Sequence, residues 1–385
     1  MIIKETVKAN VSLKAHPIGL ATIMNQYFNE IKDKKNIEGA KNVLVLGGSS
    51  GYGLATRIVA SDKMNANTIN VCYENEPEKK RTGTAGYWNM KYFNNRTTTN
   101  SIDFNIDAFS KESRDLVIKR LQDENIKIDL VVFSLAAGAK MTPDGLVTSA
   151  LKPIGKSVVG RTIDMAKNLI KEVEIEPANE QEIQDTVFVM GGIDWYNWIN
   201  DLSDANCLTP KCKTISYTYI GGATTKDIYR DGTIGKAKED LESTVEKLNN
   251  DFDVEAYVVS AKAIASKASV FIPSMPIYAG CLYEVMKKNN VHETVTEHIY
   301  RLFDEMIYGD KAILDEDSRI RIDHLEVSED IQEQTIKLME ELSDEEILNL
   351  NGTKDFIKEF YNINGFRVDN VDYEADVDID KISFV

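Results

Sequence analysis

A chain of 385 residues with 43% hydrophobic and 28% charged side chains holds enough apolar material for a sizeable core under an ordinary polar surface, which excludes disordered, collagen-like and mucin-like classes. Lys+Arg 45 against Asp+Glu 62 gives a net charge of −17. Neither nucleic acid nor an anionic lipid surface is then expected as a main partner, and an anionic ligand must be met by a local basic or backbone N–H site.

The first 17 residues, MIIKETVKANVSLKAHP, scatter charge through any apolar run, unlike an export signal. The longest largely apolar, uncharged stretch, Ala268 to Tyr283, holds two prolines and falls short of the ~20 residues a membrane span needs. Cys72, Cys207, Cys212 and Cys281 form no disulfide framework, and His16, His292, His298 and His324 show no chelating spacing. A reduced, cytoplasmic, metal-free protein is expected.

Apolar runs and helical stretches alternate. Val43–Leu46, Thr68–Tyr73, Ile102–Ile106, Asp129–Leu135, Thr186–Met190, Thr214–Tyr219 and Glu255–Ser260 read as strands, with helices over Tyr52–Ala60 and Lys111–Asn125. This predicts an α/β fold: a Rossmann-type, doubly wound parallel sheet with helices on both faces. Met141–Glu180 reads as an insertion at the ligand end of the sheet. Beyond Phe271 the spacing is helical over Ala279–Asn289, Glu293–Tyr308 and Ile331–Leu342, and the acidic stretch Val368–Asp380 is expected at the surface or partly frayed. No composition shift marks a boundary, so residues 1–385 are read as a single elaborated dinucleotide-binding domain.

The run Val43-Leu44-Val45-Leu46-Gly47-Gly48-Ser49-Ser50-Gly51-Tyr52-Gly53 is strand, glycine turn, helix. Glycines at 47, 51 and 53 permit positive φ and close backbone approach to a pyrophosphate, whose charge the free N–H groups of the helix start attract. No Gly-Lys-Ser/Thr follows, which excludes a P-loop. Glu74 lies 21 residues past Gly53, at the end of the second strand, where a carboxylate accepts from the adenosine ribose hydroxyls and repels a 2′-phosphate. NADH is therefore expected over NADPH. Asp107-Ala108 and Leu135-Ala136, after the third and fourth strands, are expected to border the adenine and ribose.

For the chemistry, Tyr219 closes a strand, Tyr229 precedes a turn, and Lys238 falls in a helix starting near Thr233. Hydride addition to a conjugated carbonyl compound builds negative charge on the carbonyl oxygen, which a phenol stabilises and can protonate. A nearby ammonium is expected to lower that phenol's pKa and to hold the nicotinamide ribose. Nine positions on one helix rotate about 900° and would separate Tyr229 from Lys238; the Asp231-Gly232 turn resolves this by leaving Tyr229 outside the helix.

Tyr219-Ile220-Gly221, Ile228-Tyr229, Gly232-Thr233-Ile234-Gly235 and Ala237-Lys238 resemble the FabV-type trans-2-enoyl-CoA/enoyl-acyl-carrier-protein reductases, whose mark is Tyr-x8-Lys. So do His16-Pro17, Gly51-Tyr52-Gly53-Leu54-Ala55, Val189-Met190-Gly191-Gly192 with Asp194-Trp195, Ile272-Pro273, and Gly365-Phe366 with Val371-Asp372-Tyr373. The resemblance implies an elaborated short-chain-dehydrogenase-like fold and NADH-dependent reduction of enoyl-CoA or enoyl-acyl-carrier-protein in fatty-acid metabolism, by a monomer. It makes Tyr229 the proton donor, sets Tyr219 at the substrate carbonyl and Lys238 on the cofactor. NADH would be held by Gly47, Gly48, Ser49, Ser50, Gly51, Tyr52, Tyr73, Glu74, Asp107, Ala108, Leu135, Ala136, Ile264, Ala265 and Ser266. Gly138-Ala139-Lys140 stands where many relatives carry Pro-Arg-Arg, which puts a phosphate contact there in question.

Residues 268–290 read either as a core helix or as an acyl-channel wall, the latter with Met275, Ile277 and Tyr278 on the substrate. Lys79-Lys80-Arg81 is either a solvated loop or a site for CoA phosphates. The same glycine turn and Tyr/Lys chemistry also suit a short-chain-type dehydrogenase acting on a ketone or alcohol. A catalytically silent NADH sensor is disfavoured by the intact Tyr219, Tyr229 and Lys238.

Overall fold

Apolar, β-branched runs form the centre of the computed structural model, which describes residues 1–79, 81–226 and 229–382. Lys80 and Ile228 lie outside the described residues. In chain order the strands are a short hairpin, β1 (Val7–Lys8) and β2 (Val11–Ser12), then β3 (Asn42–Leu46), β4 (Asn67–Cys72), β5 (Ser101–Asn105) and β6 (Ile128–Phe133). Two antiparallel hairpins follow, β7 (Ala139–Thr142) with β8 (Gly145–Thr148) and β9 (Val158–Asp164) with β10 (Leu169–Ile175), and then β11 (Leu208–Thr218), β12 (Val254–Ser260) and β13 (Ile320–Arg321).

A parallel seven-stranded sheet runs β13-β12-β11-β6-β3-β4-β5. Alternate side chains enter two cores, as the two-residue period of a strand requires. Val43, Val45, Leu130 and Val132 pack on one face against α1 (Pro17–Ile31), α2 (Gly51–Lys63), α3 (Ala85–Arg96) and the helix Val295–Arg301. Leu44, Leu46, Val131 and Phe133 pack on the other with α4 (Lys111–Asp123) and two helices described below, Ile193–Asp204 and Thr233–Asp251. The doubly wound arrangement follows from this alternation.

The seventh strand differs from the sequence expectation. Thr186–Met190 is the end of a helix, α5 (Glu180–Met190), and β13 takes the edge place in the sheet. A capping box explains the helix: Asn179 Oδ1 accepts the Glu182 N–H at 2.9 Å and Glu182 returns the bond to the Asn179 N–H at 2.9 Å. That local stop fixes a helix start ahead of the β-branched residues and overrides their preference.

Downstream come α6 (Ile193–Asp204), α7 (Thr233–Asp251), α8 (Met275–Lys288) and α9 (Val295–Arg301), which continues as a π-turn over Leu302–Ile307, then α10 (Glu329–Glu341), α11 (Asp344–Asn349) and α12 (Asn351–Asn362). Pro276 sits in the first turn of α8 and does not break it. The acidic stretch 368–380 is not frayed throughout: Val368 and Val377 are buried, and the Val377 N–H donates to the Met1 carbonyl at 3.0 Å. No helix among the described residues is long and apolar enough to cross a membrane.

The insertion over 141–180 is structural. The Thr233 N–H donates to the Lys152 carbonyl at 2.9 Å, its hydroxyl donates to the Ala150 carbonyl, and Pro153 bridges to Gly232. The start of α7 is therefore braced from outside the sheet. The Arg161 carbonyl of β9 accepts the Ser274 N–H at 2.8 Å, just before α8.

His16 contributes to the pH dependence of folding, alongside His292 and His298, whose pKa values burial also lowers. His16 caps α1, its Nδ1 accepting the Gly19 N–H at 3.2 Å, and burial holds its pKa at about 4. The folded state thus binds fewer protons here than an unfolded chain, whose imidazole titrates near 6.5. The stabilisation is present above pH 6.5 and is lost as pH falls towards 4, about 3 kcal/mol in all. Thermal melts should show Tm falling over this window, and less so in His16→Asn, which keeps an acceptor at the cap. Equal slopes in the two proteins would remove His16 from the linkage.

Candidate active site

From β3 the chain pairs to β4 on one side and β6 on the other. Beyond the carboxyl ends of β3 and β6 lies the crevice in which open α/β sheets take ligands. A cavity of about 370 Å³ opens there. Gly47 closes its floor at φ 91°, and a Cβ on it would sit 2.5 Å from the Ser134 carbonyl oxygen, so only glycine fits this turn. Ser50, Gly51, Tyr52, Leu135 and Ala136 line the same cavity, with the N-terminus of α2 at its rim.

Other residues expected at the cofactor are not among those lining this cavity. The Gly48 N–H donates to Asn70 Oδ1 at 2.8 Å, and the Ser49 hydroxyl donates to Glu74 Oε1 at 2.6 Å. Glu74 rests against the first turn of α3, where a Cβ on Gly86 would come within 2.0 Å of its carboxylate. Tyr73 is 72% exposed. Asp107 accepts the Phe109 N–H, and the Ala108 carbonyl accepts the Trp198 indole N–H. A positive-φ glycine, a helix start and a carboxylate one strand over are the groups that fit a pyrophosphate and an adenosine ribose. Lys140 is committed to Asp194 at 2.6 Å.

Tyr219, Tyr229 and Lys238 all line the cavity. Tyr229 precedes α7 in a turn where its N–H donates to the Thr225 carbonyl at 3.0 Å, and Lys238 lies within α7. The two tyrosine rings meet edge to face, centroids 5.0 Å apart. Lys238 Nζ donates to the Tyr217 carbonyl at 3.0 Å; burial lowers its pKa to about 8, with the Glu242 carboxylate opposing.

One electrostatic expectation is corrected. The Tyr229 phenol is not acidified. Burial raises its pKa, the Arg230 guanidinium opposes this, and Glu242 adds to it. It therefore stays protonated at neutral pH. Arg230 forks onto Glu242 at 2.8 and 2.9 Å, and Arg319 joins at 2.9 Å, which fixes the turn that carries Tyr229.

Ile264, Ala265, Ser266 and Met275 line the cavity. Ile277 and Tyr278 do not: Ile277 packs into the core between α8 and α12, and the Tyr278 hydroxyl donates to Glu326. Their places on α8 turn them from the cavity, so the substrate role expected of both is set aside. Lys79 and Arg81 are exposed in a short bridged loop.

Several wall residues had no sequence signal: Tyr27 of α1, Val295 and Thr296 of α9, and Ile363 after α12 reach the cavity only through tertiary packing. Tyr217 was also missed, although its spacing of two from Tyr219 in the strand expected over Thr214–Tyr219 could have pointed to it. Lys262, also on the wall, accepts the Tyr52 hydroxyl through its carbonyl. Among the described residues no group of three or more His, Cys, Asp or Glu is arranged to hold a metal.

A family model described as the trans-2-enoyl-CoA reductase catalytic region matches residues 81–308, and one described as the NAD(P)H binding domain of trans-2-enoyl-CoA reductase matches 2–79. The chain belongs to the trans-2-enoyl-CoA reductase family. It is 40% identical to the trans-2-enoyl-CoA reductase [NADH] of Clostridium perfringens, over 99% of this chain and 100% of that protein. It is also 40% identical to the enoyl-[acyl-carrier-protein] reductase [NADH] of Idiomarina loihiensis, over 98% and 99%. The solved Clostridium acetobutulicum trans-2-enoyl-CoA reductase in complex with NADH superposes with a TM-score of 0.95 at 39% identity, covering 99% of this chain and 98% of that one.

A third model, described as an enoyl reductase FAD binding domain, matches residues 314–377. In this trans-2-enoyl-CoA reductase family member that segment supplies Ile363 to the cavity wall and otherwise packs its helices on α8.

Proposed function

We propose that this enzyme reduces the trans-2 double bond of enoyl thioesters, carried by CoA or acyl-carrier-protein in fatty-acid metabolism. The observation that carries this is the meeting of Tyr219, Tyr229 and Lys238 on one cavity with the Gly47 turn, in a chain of this family. NADH, when bound, supplies the hydride. Gly47, Ser50, Gly51, Tyr52, Leu135, Ala136 and Ile264–Ser266 bind the cofactor along the wall, and Glu74 with its neighbours Gly48, Ser49, Tyr73, Asp107 and Ala108 serves its adenosine end. Lys238 holds the nicotinamide ribose. Tyr219 donates to the thioester carbonyl, Tyr229 gives a proton, and Met275 meets the acyl chain. The protein acts as a cytoplasmic monomer and a single elaborated dinucleotide-binding domain, without nucleic acid.

Purified enzyme should oxidise NADH in the presence of crotonyl-CoA, longer enoyl-CoAs or enoyl-acyl-carrier-protein. Turnover of ketones with none of enoyl thioesters would decide for the short-chain dehydrogenase alternative. Glu74→Ser should raise the NADPH/NADH ratio of kcat/KM about tenfold, the scale of one charge contact near a surface. An unchanged ratio would place Glu74 away from the ribose.

A further inference from the structure

A carboxyl group that sequence reading did not single out lies behind the tyrosines. Glu326, just after β13, is fully buried. One of its oxygens accepts the Ala263 N–H at 2.6 Å. The other accepts two phenols, Tyr278 at 2.8 Å and Tyr219 at 3.2 Å. Ala263 and Tyr219 are both cavity wall, so Glu326 grips that wall at two points from inside the protein. Tyr278 cannot turn away, because its oxygen already accepts from Gln332 Nε2 at 2.8 Å, and the same amide donates to the Glu326 carbonyl at 2.9 Å.

We propose that Glu326 is a positioning residue whose own protonation state decides whether Tyr219 can turn its hydroxyl proton into the cavity. This rests on the enoyl-reductase reading above. As a carboxylate, Glu326 has only lone pairs to offer and takes the Tyr219 proton into its own hydrogen bond. As a carboxylic acid it becomes a donor, the Tyr219 oxygen accepts from it, and the Tyr219 proton is free for a thioester carbonyl. Hydrogen bonding alone changes; Tyr219 keeps its proton throughout.

The surroundings suit such a switch. Burial pushes the Glu326 pKa up to about 7; Asp323 adds to this, while the Ala263 N–H, the Tyr278 hydroxyl and the Lys262 ammonium oppose it. Asp323 is itself held by Arg321 and the Ser260 hydroxyl. Tyr52 faces the group from α2, Tyr278 from α8, Tyr219 from the end of β11, and the uncharged Gln332 from α10.

The test is the pH profile of kcat and kcat/KM for crotonyl-CoA reduction, with NADH binding and Tm recorded for each protein. Wild-type kcat should fall about fourfold between pH 6 and 7.5, the behaviour of one group titrating near 7. In Glu326→Gln the amide oxygen can accept from Ala263 while its NH₂ faces the phenols, as in the protonated acid. That variant should keep the wild-type rate at pH 6 and lose the limb. Tyr278→Phe, which removes one donor to the carboxylate, should move the limb up by about one pH unit. A fourfold fall retained in Glu326→Gln, a limb unmoved in Tyr278→Phe, or no limb in the wild type overturns the proposal. A wild-type protein inert on every enoyl thioester overturns the reductase reading and the proposal with it.

Discussion

Tyr229→Phe is expected to lower kcat for crotonyl-CoA by about 10²- to 10⁴-fold, the range of a lost general acid, with NADH affinity within about twofold of wild type. The substitution isolates chemistry from folding. Among the described residues the Tyr229 hydroxyl has no hydrogen-bond partner in the protein, so its removal strands no buried group. The phenyl ring keeps its edge-to-face contact with Tyr219. Burial keeps the phenol protonated at neutral pH, as a donor must be. Stopped-flow NADH binding beside steady-state turnover reads both arms. Retained kcat would take Tyr229 out of the reaction and leave its proton-donating role to another phenol of the cavity wall, Tyr219 first among them.

Gly235→Ala is expected to destabilise the protein by about 2–3 kcal/mol and to cut turnover by at least an order of magnitude. A Cβ at this position would lie 1.8 Å from the Arg230 carbonyl oxygen and 2.8 Å from that of Tyr229. Both obstacles are backbone, so neither can be cleared by a side-chain rotation. Relief requires the turn carrying Tyr229 to lift off α7, away from Lys238 on that helix. The fork of Arg230 onto Glu242 resists that movement and transmits it to Arg319. Thermal unfolding and crotonyl-CoA kinetics check both effects; a variant with wild-type Tm and kcat would show that the turn and the helix are not locked together.

The glycine turn and the Tyr229–Lys238 corner were legible because each depends on local chemistry. Gly47 answers a backbone need within a few residues of itself, and the Asp231-Gly232 turn separates phenol from helix in the sequence itself. The strand alternation was legible for the same reason, since Val43, Val45, Leu44 and Leu46 must divide between two helix layers. Thr186–Met190 failed where an upstream cap outweighed β-branched preference. The acidity of Tyr229 failed because burial, which spacing does not show, raises its pKa and outweighs the opposing Arg230 guanidinium. Ile277 and Tyr278 stand next to Met275 in sequence, yet α8 turns them towards α12 and Glu326, a rotation fixed by packing. Tyr27, Thr296, Ile363 and Glu326 come from opposite ends of the chain, and only the assembled fold brings them to one place.

The 141–180 insertion holds Thr233 at the start of α7 and, through Arg161, the residue before α8. These two helices present Lys238 and Met275 to the same cavity. The hairpins thus act as an external splint across two walls of the reaction chamber. Nicking the exposed loop around Gly155 would loosen both walls together, so proteolytic sensitivity there offers a way to disarm the enzyme without touching a single reacting group.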